Sequence, residues 1–302
     1  MKKAFLFPGQ GSQYVGMGKD LYENFSEVRE IYDQSEEILQ LPLKKISFEG
    51  PEEELKQTQY TQPALFVHSL AVYRMLENRN ERPAVAAGHS LGEYSALVAA
   101  GAFTFEEGLK VVKIRGEQMQ KSGEKNPGTM AAIIGLSKPD VEDICSQAAG
   151  AGMVKPANFN SPGQIVISGS IEGVHRAMDL AKQRKARLAT ELVVSGAFHS
   201  PLMGDALSGL TAALDSLNIR SPQIPVYTNV TAKPTSTAEE VRHLLKQQLL
   251  APVLWEDIII HMITDGITDF YEVGAGKVLQ GLLKRINSEV SGKGVGKAED
   301  FQ

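Results

Sequence analysis

The chain has 302 residues, of which 42% are hydrophobic and 22% charged, and its formal net charge is −5 at pH 7. This composition is typical of a globular protein with a large core, and the length suggests roughly two domains. The negative charge argues against nucleic-acid binding as the main function. The sequence contains no run of about 18 apolar residues, so no membrane span is predicted, and the N-terminal MKKAFLFPGQG lacks the features of a signal peptide. The single cysteine, Cys145, excludes an internal disulfide, so we expect a cytoplasmic protein.

The first part of the chain alternates predicted strands and helices. Ala4–Phe7 and 83–90 are the predicted strands, and Ala4–Phe7 runs into a glycine-rich turn. The predicted helices are 26–39, 61–78, 91–103 and 104–120. In the second helix we expect Thr61 or Gln62 as the cap and Pro63 in the first turn, and in the fourth we expect Thr104 as the cap, with Glu107 three residues later. This alternation predicts a parallel sheet covered on both faces.

The pattern changes after residues 122–128. The next predicted elements are strand, helix, strand, strand, helix and strand, at Met130–Ile134, Lys138–Ala148, Met153–Asn158, Gln164–Gly169, Ile171–Gln183 and Arg187–Val194. This order is the ferredoxin-like pattern, and about 65 residues suffice for a small subdomain. Alternation resumes after Phe198, with strands predicted at 224–230 and 267–274, and the glycine-rich tail 291–302 is expected to fray.

Residues 88–92, GHSLG, match the pattern G-x-S-x-G between a predicted strand and a predicted helix. Such a sharp turn presents Ser90 above the backbone, and Gly88 and Gly92 lack the side chains that would collide with the neighbouring strand and helix. The helix N-terminus supplies free backbone N–H groups and a positive dipole end, both of which would stabilise an oxyanion. The alternative is a serine that only caps a buried helix. The flanking elements favour a nucleophile.

A serine nucleophile needs a general base, and the chain has six histidines. His199 lies in a predicted loop just after a strand, where α/β folds place catalytic groups, so it is the preferred base. The others are better explained as structural or solvent-exposed: His68, His175 and His243 in helices, His261 in an apolar run, and His89, which we expect to point away from Ser90.

Several segments, taken in order, resemble malonyl-CoA:acyl carrier protein transacylases. They are FPGQGSQYVGMG (7–18), TQYTQPAL (58–65), GHSLGEYSALVAAG (88–101), VKIRGEQM (112–119), NFNSPGQIVISG (158–169), GAFHSPLM (196–203), QLLAPVLW (248–255) and YEVGAGKVLQGL (271–282). The resemblance spans nearly the whole chain and is far more specific than the serine turn alone. It implies an α/β fold in which a parallel-sheet, α/β-hydrolase-like catalytic core, residues 1–127 and 196–302, carries an inserted ferredoxin-like subdomain, residues 128–195.

The resemblance also implies a role for each matching residue. Ser90 would be the nucleophile that is acylated, and His199 the general base and later the general acid. A backbone carbonyl would orient the histidine, and Gln248 occupies the matching position. Gln10 and the Leu91 backbone N–H would form the oxyanion hole.

The same family pattern assigns Arg115 to the free carboxylate of malonate, Asn160 to the acyl pocket, and Gln62 to a position facing that pocket. The sequence AFH before the pocket resembles the malonyl-selective version of the family. The chemistry agrees, because a guanidinium can hold a carboxylate through two parallel hydrogen bonds. The alternative is an arginine that extends from a helix edge or pairs with an acid such as Glu117.

The predicted reaction is ping-pong transfer of a malonyl group from CoA to the phosphopantetheine thiol of acyl carrier protein, in fatty acid synthesis. Malonyl-CoA and acyl carrier protein would be the partners, with no nucleic acid and no membrane. No cofactor and no metal are expected, because the sequence has no clustered Cys/His ligand set. The alternatives are a thioester hydrolase using the same serine, a free-standing acyltransferase of a polyketide pathway, and an inactive scaffold.

A basic run, KQRKAR, occupies residues 182–187. An acidic carrier protein could be steered by such a rim even on an acidic enzyme. The alternative, which the sequence favours, is a solvated helix end.

Overall fold

Two β-sheets organise the chain in a computed structural model that describes residues 2–302. The first sheet has six strands: β1 Lys3–Phe7, β2 Val85–Gly88, β7 Val226–Tyr227, β8 Pro234–Thr235, β9 Asp269–Val273 and β10 Ser291–Val295. The second sheet has four: β3 Thr129–Ile134, β4 Val154–Ser161, β5 Gln164–Gly169 and β6 Leu188–Glu191. Within residues 2–302 no helix is long and apolar enough to cross a membrane.

The helices lie between and around these strands. They are α1 Lys19–Asn24, α2 Ser26–Leu39, α3 Leu43–Phe48, α4 Glu52–Leu55, α5 Thr58–Asn78, α6 Gly92–Ala99, α7 Phe105–Lys125, α8 Lys138–Ala148, α9 Ile171–Gln183, α10 Gly204–Ser216, α11 Ala238–Gln248, α12 Trp255–Thr264 and α13 Val278–Ile286. Short 3₁₀ turns occupy Pro201–Met203 and Ala298–Phe301.

The first sheet has the strand order β10-β9-β1-β2-β7-β8, and its neighbours are parallel except for β7 and β8. Phe7 of β1 pairs with Gly88 of β2, so both strands end at the same edge. The chain continues from these ends into Gln10 and Ser90. The carboxyl edge of an open parallel sheet is where α/β proteins bind their ligands, so the topology already brings these two residues together.

Apolar side chains cover both faces of the first sheet, as predicted. Phe5 and Phe7 of β1 belong to the larger hydrophobic cluster, which contains much of α5 and α7. Ala4 and Leu6, which alternate with them, belong to a cluster around Trp255 of α12 on the other face. A strand buried on both faces needs apolar residues at consecutive positions, and the sequence AFLF provides them.

The second sheet has the order β4-β5-β3-β6 with antiparallel neighbours, which is the ferredoxin-like arrangement expected for βαββαβ. One face packs on α8 and α9 through a hydrophobic cluster that includes Ile133 and Ile167. Met130 and Val166 belong instead to the large cluster shared with the first sheet. A single bridge between Asn158 and Val253 links β4 to the segment before α12. The predicted fold class is therefore confirmed, and the exact domain boundaries stay a prediction.

Helix α5 begins three residues earlier than predicted, at Thr58, with Gln57 as its cap. Thr61 and Gln62 are therefore not caps, and Pro63 lies inside the helix. The polar segment TQYTQ shows no apolar periodicity, yet Thr61 and Gln62 are buried and hydrogen-bonded. Polar residues that bury their side chains in a site do not follow the pattern by which helices are predicted.

Helices α6 and α7 differ from their predicted bounds mainly at the C-terminal end. Helix α6 ends at Ala99 rather than at residue 103, and Gly101 follows with a positive φ of 76°. Helix α7 continues to Lys125, and the predicted capping box of Thr104 and Glu107 is present at its start.

The expectation that residues 291–302 fray was wrong. Residues 291–295 form β10, which pairs in parallel with β9, and Phe301 is buried against Phe25. The backbone N–H of Ala298 donates to Asp20 Oδ2 at 2.7 Å. An edge strand is held by backbone hydrogen bonds, so a glycine-rich sequence with few apolar side chains can still form one.

Candidate active site

Ser90 lies at the sharp turn between β2 and α6, and its φ of 51° is in the left-handed region that residues with a Cβ rarely adopt. Its flanking glycines make this turn possible. A Cβ on Gly88 would lie 1.8 Å from the carbonyl carbon of Gly92, and a Cβ on Gly92 would lie 2.0 Å from the carbonyl oxygen of Phe7. The turn therefore presents a hydroxyl at the sheet edge at the cost of a strained backbone.

His199 reaches Ser90 from the loop after β6. Its Nε2 lies 2.8 Å from Ser90 Oγ, and its Nδ1 lies 3.0 Å from the carbonyl oxygen of Gln248 and 3.1 Å from that of Ala251. Two carbonyl acceptors require Nδ1 to carry the proton, so Nε2 is the free acceptor that faces the hydroxyl. The sequence indicated Gln248, the last residue of α11, and missed Ala251, which lies three residues later.

The surroundings of His199 keep its imidazole neutral. The side chain is buried, and this burial, together with the positive charge of Arg115, lowers its pKa to about 3. A neutral imidazole can accept a proton at any pH near 7. The arrangement is that of a serine with a base in hydrogen-bond contact.

Arg115 projects from α7 and is fully buried beneath Ser90. One terminal nitrogen donates to Gln62 Oε1 at 2.8 Å, and the other donates to Gln248 Oε1 at 3.0 Å and to Ser90 Oγ at 3.1 Å. Its Nε has no hydrogen-bond partner. Its hydrogen-bond partners are two side-chain amides and a hydroxyl. Among the residues that the structure describes, no carboxylate lies within ion-pair distance of this guanidinium. Glu93 acts on the guanidinium only from beyond ion-pair distance, and a buried cation that contacts no carboxylate is suited to receive an anionic ligand.

Gln10 and Leu91 line the same cavity as Ser90, and each has a backbone N–H group. Neither donates a hydrogen bond to another residue in the described part of the chain. Leu91 is the N-cap of α6, so its N–H also lies at the positive end of that helix. The Gln10 side chain is engaged elsewhere and donates to Thr58 Oγ1 at 3.2 Å. Two free N–H groups near a nucleophile can bind an oxyanion.

A cavity of about 190 Å³ opens above Ser90 between the two sheets. It is lined by Gln10, Gln62, Ser90, Leu91, Asn160, His199 and a set of apolar residues, among them Met119 of α7, Met130 and Val166 of the second sheet, and Phe198. Asn160 Oδ1 accepts a hydrogen bond from His89 Nε2 at 2.9 Å. Arg115 and Gln248 are not part of this lining, but both hydrogen-bond to Ser90, so the structure brings all eight residues singled out in the sequence into one site.

Two further residues of the site were missed. Asn229 follows β7 and accepts a hydrogen bond from the Ser90 N–H at 2.7 Å, and Glu93 lies buried in the first turn of α6. A sequence signal existed for Glu93 only. Glu93 is a lone charged residue in the otherwise apolar segment LGEYSALVAAGAF, and Asn229 was hidden because the predicted strand 224–230 continued past Tyr227, where β7 ends.

Comparison with known proteins places this chain in a family. An acyl transferase domain model matches residues 4–295. A curated relative, malonyl CoA-acyl carrier protein transacylase of Bacillus subtilis (strain 168), is 44% identical over 287 residues, which cover 95% of this chain and 90% of that protein. The chain belongs to the malonyl CoA-acyl carrier protein transacylase family. The predicted family membership is therefore confirmed.

Solved structures of this transacylase family share the whole fold. An acyl carrier protein S-malonyltransferase from Vibrio cholerae O1 biovar eltor str. N16961 superposes with a TM-score of 0.95 at 42% identity, covering 99% of this chain and 98% of that one. A malonyl-transacylase solved in complex with a type II PKS acyl-carrier protein superposes with a TM-score of 0.96 at 39% identity, covering 100% and 98%.

Proposed function

We propose that this chain transfers a malonyl group from CoA to the phosphopantetheine thiol of acyl carrier protein, through an acyl-enzyme on Ser90. The observation that carries this proposal is the geometry around Ser90 Oγ. A neutral imidazole lies 2.8 Å away and a buried guanidinium 3.1 Å away. The first can activate the hydroxyl, and the second can recognise an acyl group with a free carboxylate.

In the first half-reaction, His199 Nε2 takes the proton of Ser90 as Oγ attacks the thioester carbonyl carbon. The carbonyl oxygen becomes an oxyanion, which the N–H groups of Gln10 and Leu91 bind. The carbon–sulfur bond then breaks, and the proton on His199 passes to the departing CoA sulfur. The products are malonyl-Ser90 and free CoA, and the histidine is neutral again.

In the second half-reaction, the same histidine takes the proton of the carrier protein's thiol, and the thiolate attacks the ester carbonyl of malonyl-Ser90. The oxyanion forms at the same two N–H groups. The bond to Oγ breaks and the proton returns to Ser90. His199 keeps one orientation throughout, because the carbonyls of Gln248 and Ala251 hold its Nδ1–H.

The malonyl carboxylate would bind to Arg115. An anion that enters the cavity would give the guanidinium the counter-ion that none of its protein contacts provides, and an acetyl group would leave the charge uncompensated. Asn160 and Gln62 line the same cavity, which agrees with their predicted place in the acyl pocket.

The relatives support acyl carrier protein as the acceptor of the malonyl group. The curated relatives are transacylases that act with acyl carrier protein, and one structural neighbour was solved bound to such a protein. We also propose that the enzyme works in the cytoplasm, since its single cysteine fits a reducing compartment. No cofactor has a part in the proposed chemistry.

Intact-mass measurement after mixing with malonyl-CoA tests the proposal. The wild type is expected to gain one malonyl unit, which peptide mapping places on Ser90, and Ser90→Ala is expected to gain none. Acylation of any other residue would disprove the nucleophile assignment. The hydrolase alternative is tested in the same experiment, because a malonyl-enzyme that disappears rapidly without an acceptor thiol would indicate that water is the acceptor.

A further inference from the structure

Glu93 is a buried carboxylate three residues after Ser90, in the first turn of α6, and only 1% of its surface is exposed. Its Oε2 accepts two hydrogen bonds, from Gln248 Nε2 at 2.9 Å and from the backbone N–H of Asn229 at 3.1 Å. Neither donor is close to Glu93 in sequence. The reaction steps above use no group on Glu93, yet this oxygen joins two residues that both contact the nucleophile.

The first of these residues, Asn229, holds the strained turn. Its Oδ1 accepts from the Ser90 N–H at 2.7 Å, and its Nδ2 donates to the carbonyl oxygen of Gly88 at 2.7 Å. These two bonds bind the backbone on both sides of His89 and so favour the left-handed conformation of Ser90. Glu93 in turn fixes the Asn229 backbone.

The second residue, Gln248, connects the turn to the rest of the site. Its Nε2 donates both to Glu93 and to the carbonyl oxygen of Ser90, the latter at 2.9 Å. Because the NH₂ end faces these two acceptors, the Oε1 end must face Arg115, which donates to it at 3.0 Å. With Glu93 removed, the amide could rotate and present its NH₂ group to the guanidinium.

We propose that Glu93 is a positioning residue that holds Ser90, His199 and Arg115 in their mutual geometry through Asn229 and Gln248. Two chains of hydrogen bonds, called arms below, lead from its Oε2 atom to the site. The arm through Asn229 fixes the backbone conformation of Ser90, the nucleophile. The arm through Gln248 sets the guanidinium with its side chain and the imidazole with its backbone carbonyl. The proposal rests on the proposed function for the roles of these three residues.

The acceptor oxygen, rather than the charge, is the essential property of Glu93. Burial raises the pKa of its carboxyl to about 7, while the hydrogen bond from Gln248 acts in the opposite direction. Both protonation states retain an oxygen that can accept from Gln248 and Asn229. A glutamine at this position supplies such an oxygen at the same side-chain length, and a leucine supplies none.

Glu93→Leu, Glu93→Gln and the control Glu272→Leu test the proposal. Glu272 is also 1% exposed, but it accepts hydrogen bonds from Leu279 and Gln280 at the start of α13. Leu279 lines the cavity, yet neither donor hydrogen-bonds to Ser90, His199 or Arg115. The first measurement is the rate at which a fluorophosphonate labels Ser90, which depends on the nucleophile and its base without any acyl donor. The second is the ratio of kcat/KM for malonyl-CoA to that for acetyl-CoA. Thermal unfolding is measured for every variant.

Glu93→Leu is expected to lower both the labelling rate and the malonyl preference, since a displacement of about 1 Å in an active site can cost on the order of 10²-fold. Glu93→Gln is expected to stay within about threefold of the wild type, because its amide oxygen replaces the acceptor. Glu272→Leu is expected to lose stability and to keep both values. Wild-type behaviour of Glu93→Leu would overturn the proposal, and so would equal losses in the leucine and glutamine variants or a matching loss in Glu272→Leu.

Asn229→Ala keeps the proposal testable if Glu93→Leu does not fold. It removes one arm only, so it should slow the labelling of Ser90 and leave the malonyl preference unchanged. A drop in both would contradict the two-arm arrangement. Failure of the proposed function gives a different result: the wild type would form no malonyl-enzyme, while fluorophosphonate labelling would still report on Glu93.

Discussion

Two strand-to-helix turns lie at the carboxyl edge of the first sheet, and they use their helix N-termini in opposite ways. At the turn from β9 to α13, the Glu272 carboxylate accepts hydrogen bonds from the backbone N–H groups of Leu279 and Gln280, both at 3.0 Å. At the turn from β2 to α6, Glu93 is equally buried but contacts Gln248 and Asn229, and the Leu91 N–H stays free.

The difference shows how one kind of turn can serve either the fold or the chemistry. A helix N-terminus that the chain fills with its own carboxylate is satisfied and binds nothing else. The same helix end, left open beside a nucleophile, can bind an oxyanion. In the second case the buried glutamate, Glu93, accepts from Asn229 and Gln248 instead of from the helix N-terminus, and through them it supports the catalytic side chains.

We call the β2–α6 turn the open turn, because no carboxylate fills its helix N-terminus, and the β9–α13 turn the filled turn. Removing the base at the open turn should give the largest loss of activity. His199→Ala leaves Ser90 without a proton acceptor, and general acid–base catalysis typically contributes about 10² to 10⁴ in rate. Both half-reactions should slow, as measured by malonyl-enzyme formation and by its transfer to acyl carrier protein. Near-normal rates would place the base elsewhere.

Removing the cation should change specificity more than reactivity. Arg115→Ala should lower kcat/KM for malonyl-CoA on the order of 10² to 10³, because breaking a buried charge pair costs about 3–5 kcal/mol. Arg115→Lys should lose much of this too, since an ammonium cannot form two parallel hydrogen bonds. Acetyl-CoA turnover should be unchanged or improved, with circular dichroism as the control for folding. Equal losses on both donors would mean that Arg115 supports structure only.

The pH profile should show that the open turn contains a neutral base. Burial and Arg115 lower the pKa of His199 to about 3, so the imidazole stays unprotonated as the pH falls from 7 to 5. A histidine with an ordinary pKa of about 6.5 would lose roughly 30-fold in its neutral fraction at pH 5. We expect kcat/KM for malonyl-CoA to stay nearly level over this range while the protein remains folded.

The same measurement on Arg115→Ala provides the control. Without the guanidinium the pKa of His199 should rise, and the acidic fall in activity should move to higher pH when acetyl-CoA is the donor. A wild-type fall in activity near pH 6 would contradict this account of His199.

At the filled turn, substitution should affect stability and little else. Glu272→Leu leaves the N–H groups of Leu279 and Gln280 without their acceptor, and hydrogen bonds to charged groups contribute about 1.5–3 kcal/mol. The free energy of unfolding should fall by about this amount in denaturant titrations, with Ser90 labelling within about twofold of the wild type. A large loss of labelling would mean that the two turns are not independent.

The smallest effect is expected from the basic run 182–187. Arg184 pairs with Asp143, and Lys182 lies 3.4 Å from Asp179, so part of its charge is already balanced. Exposed pairs contribute at most about 1 kcal/mol, so replacing Lys182, Arg184 and Lys185 with alanine should raise the KM for the carrier protein by a few-fold at most. Malonyl-CoA turnover should not change. An unchanged KM and salt dependence would exclude docking at this helix end.

The sequence predicted the parts of this molecule that are set by local patterns. The serine turn needs glycines at two fixed positions, and the second sheet lies in a run of predicted elements with the order βαββαβ, so both were found from the chain alone. Helix α8 and helix α9 have the predicted bounds for the same reason.

Features that depend on distant contacts were not predictable in the same way. Strand β10 exists because β9 offers backbone partners, which its own glycine-rich sequence does not reveal. Asn229 and Glu93 meet only because β7 lies beside β2. A polar residue at a strand end indicates a site, but its partner is decided by strand order, which local sequence does not encode.

The position of β1 in the first sheet has a consequence for how the chain folds during synthesis. Its neighbours are β2, which starts at Val85, and β9, which starts at Asp269, so the central strand cannot gain its second partner until most of the chain has been made. Contacts of such large sequence separation slow folding. The second sheet pairs only residues between 129 and 191 and can form much earlier. We therefore expect β1 to keep one edge unpaired on the ribosome until β9 has been made.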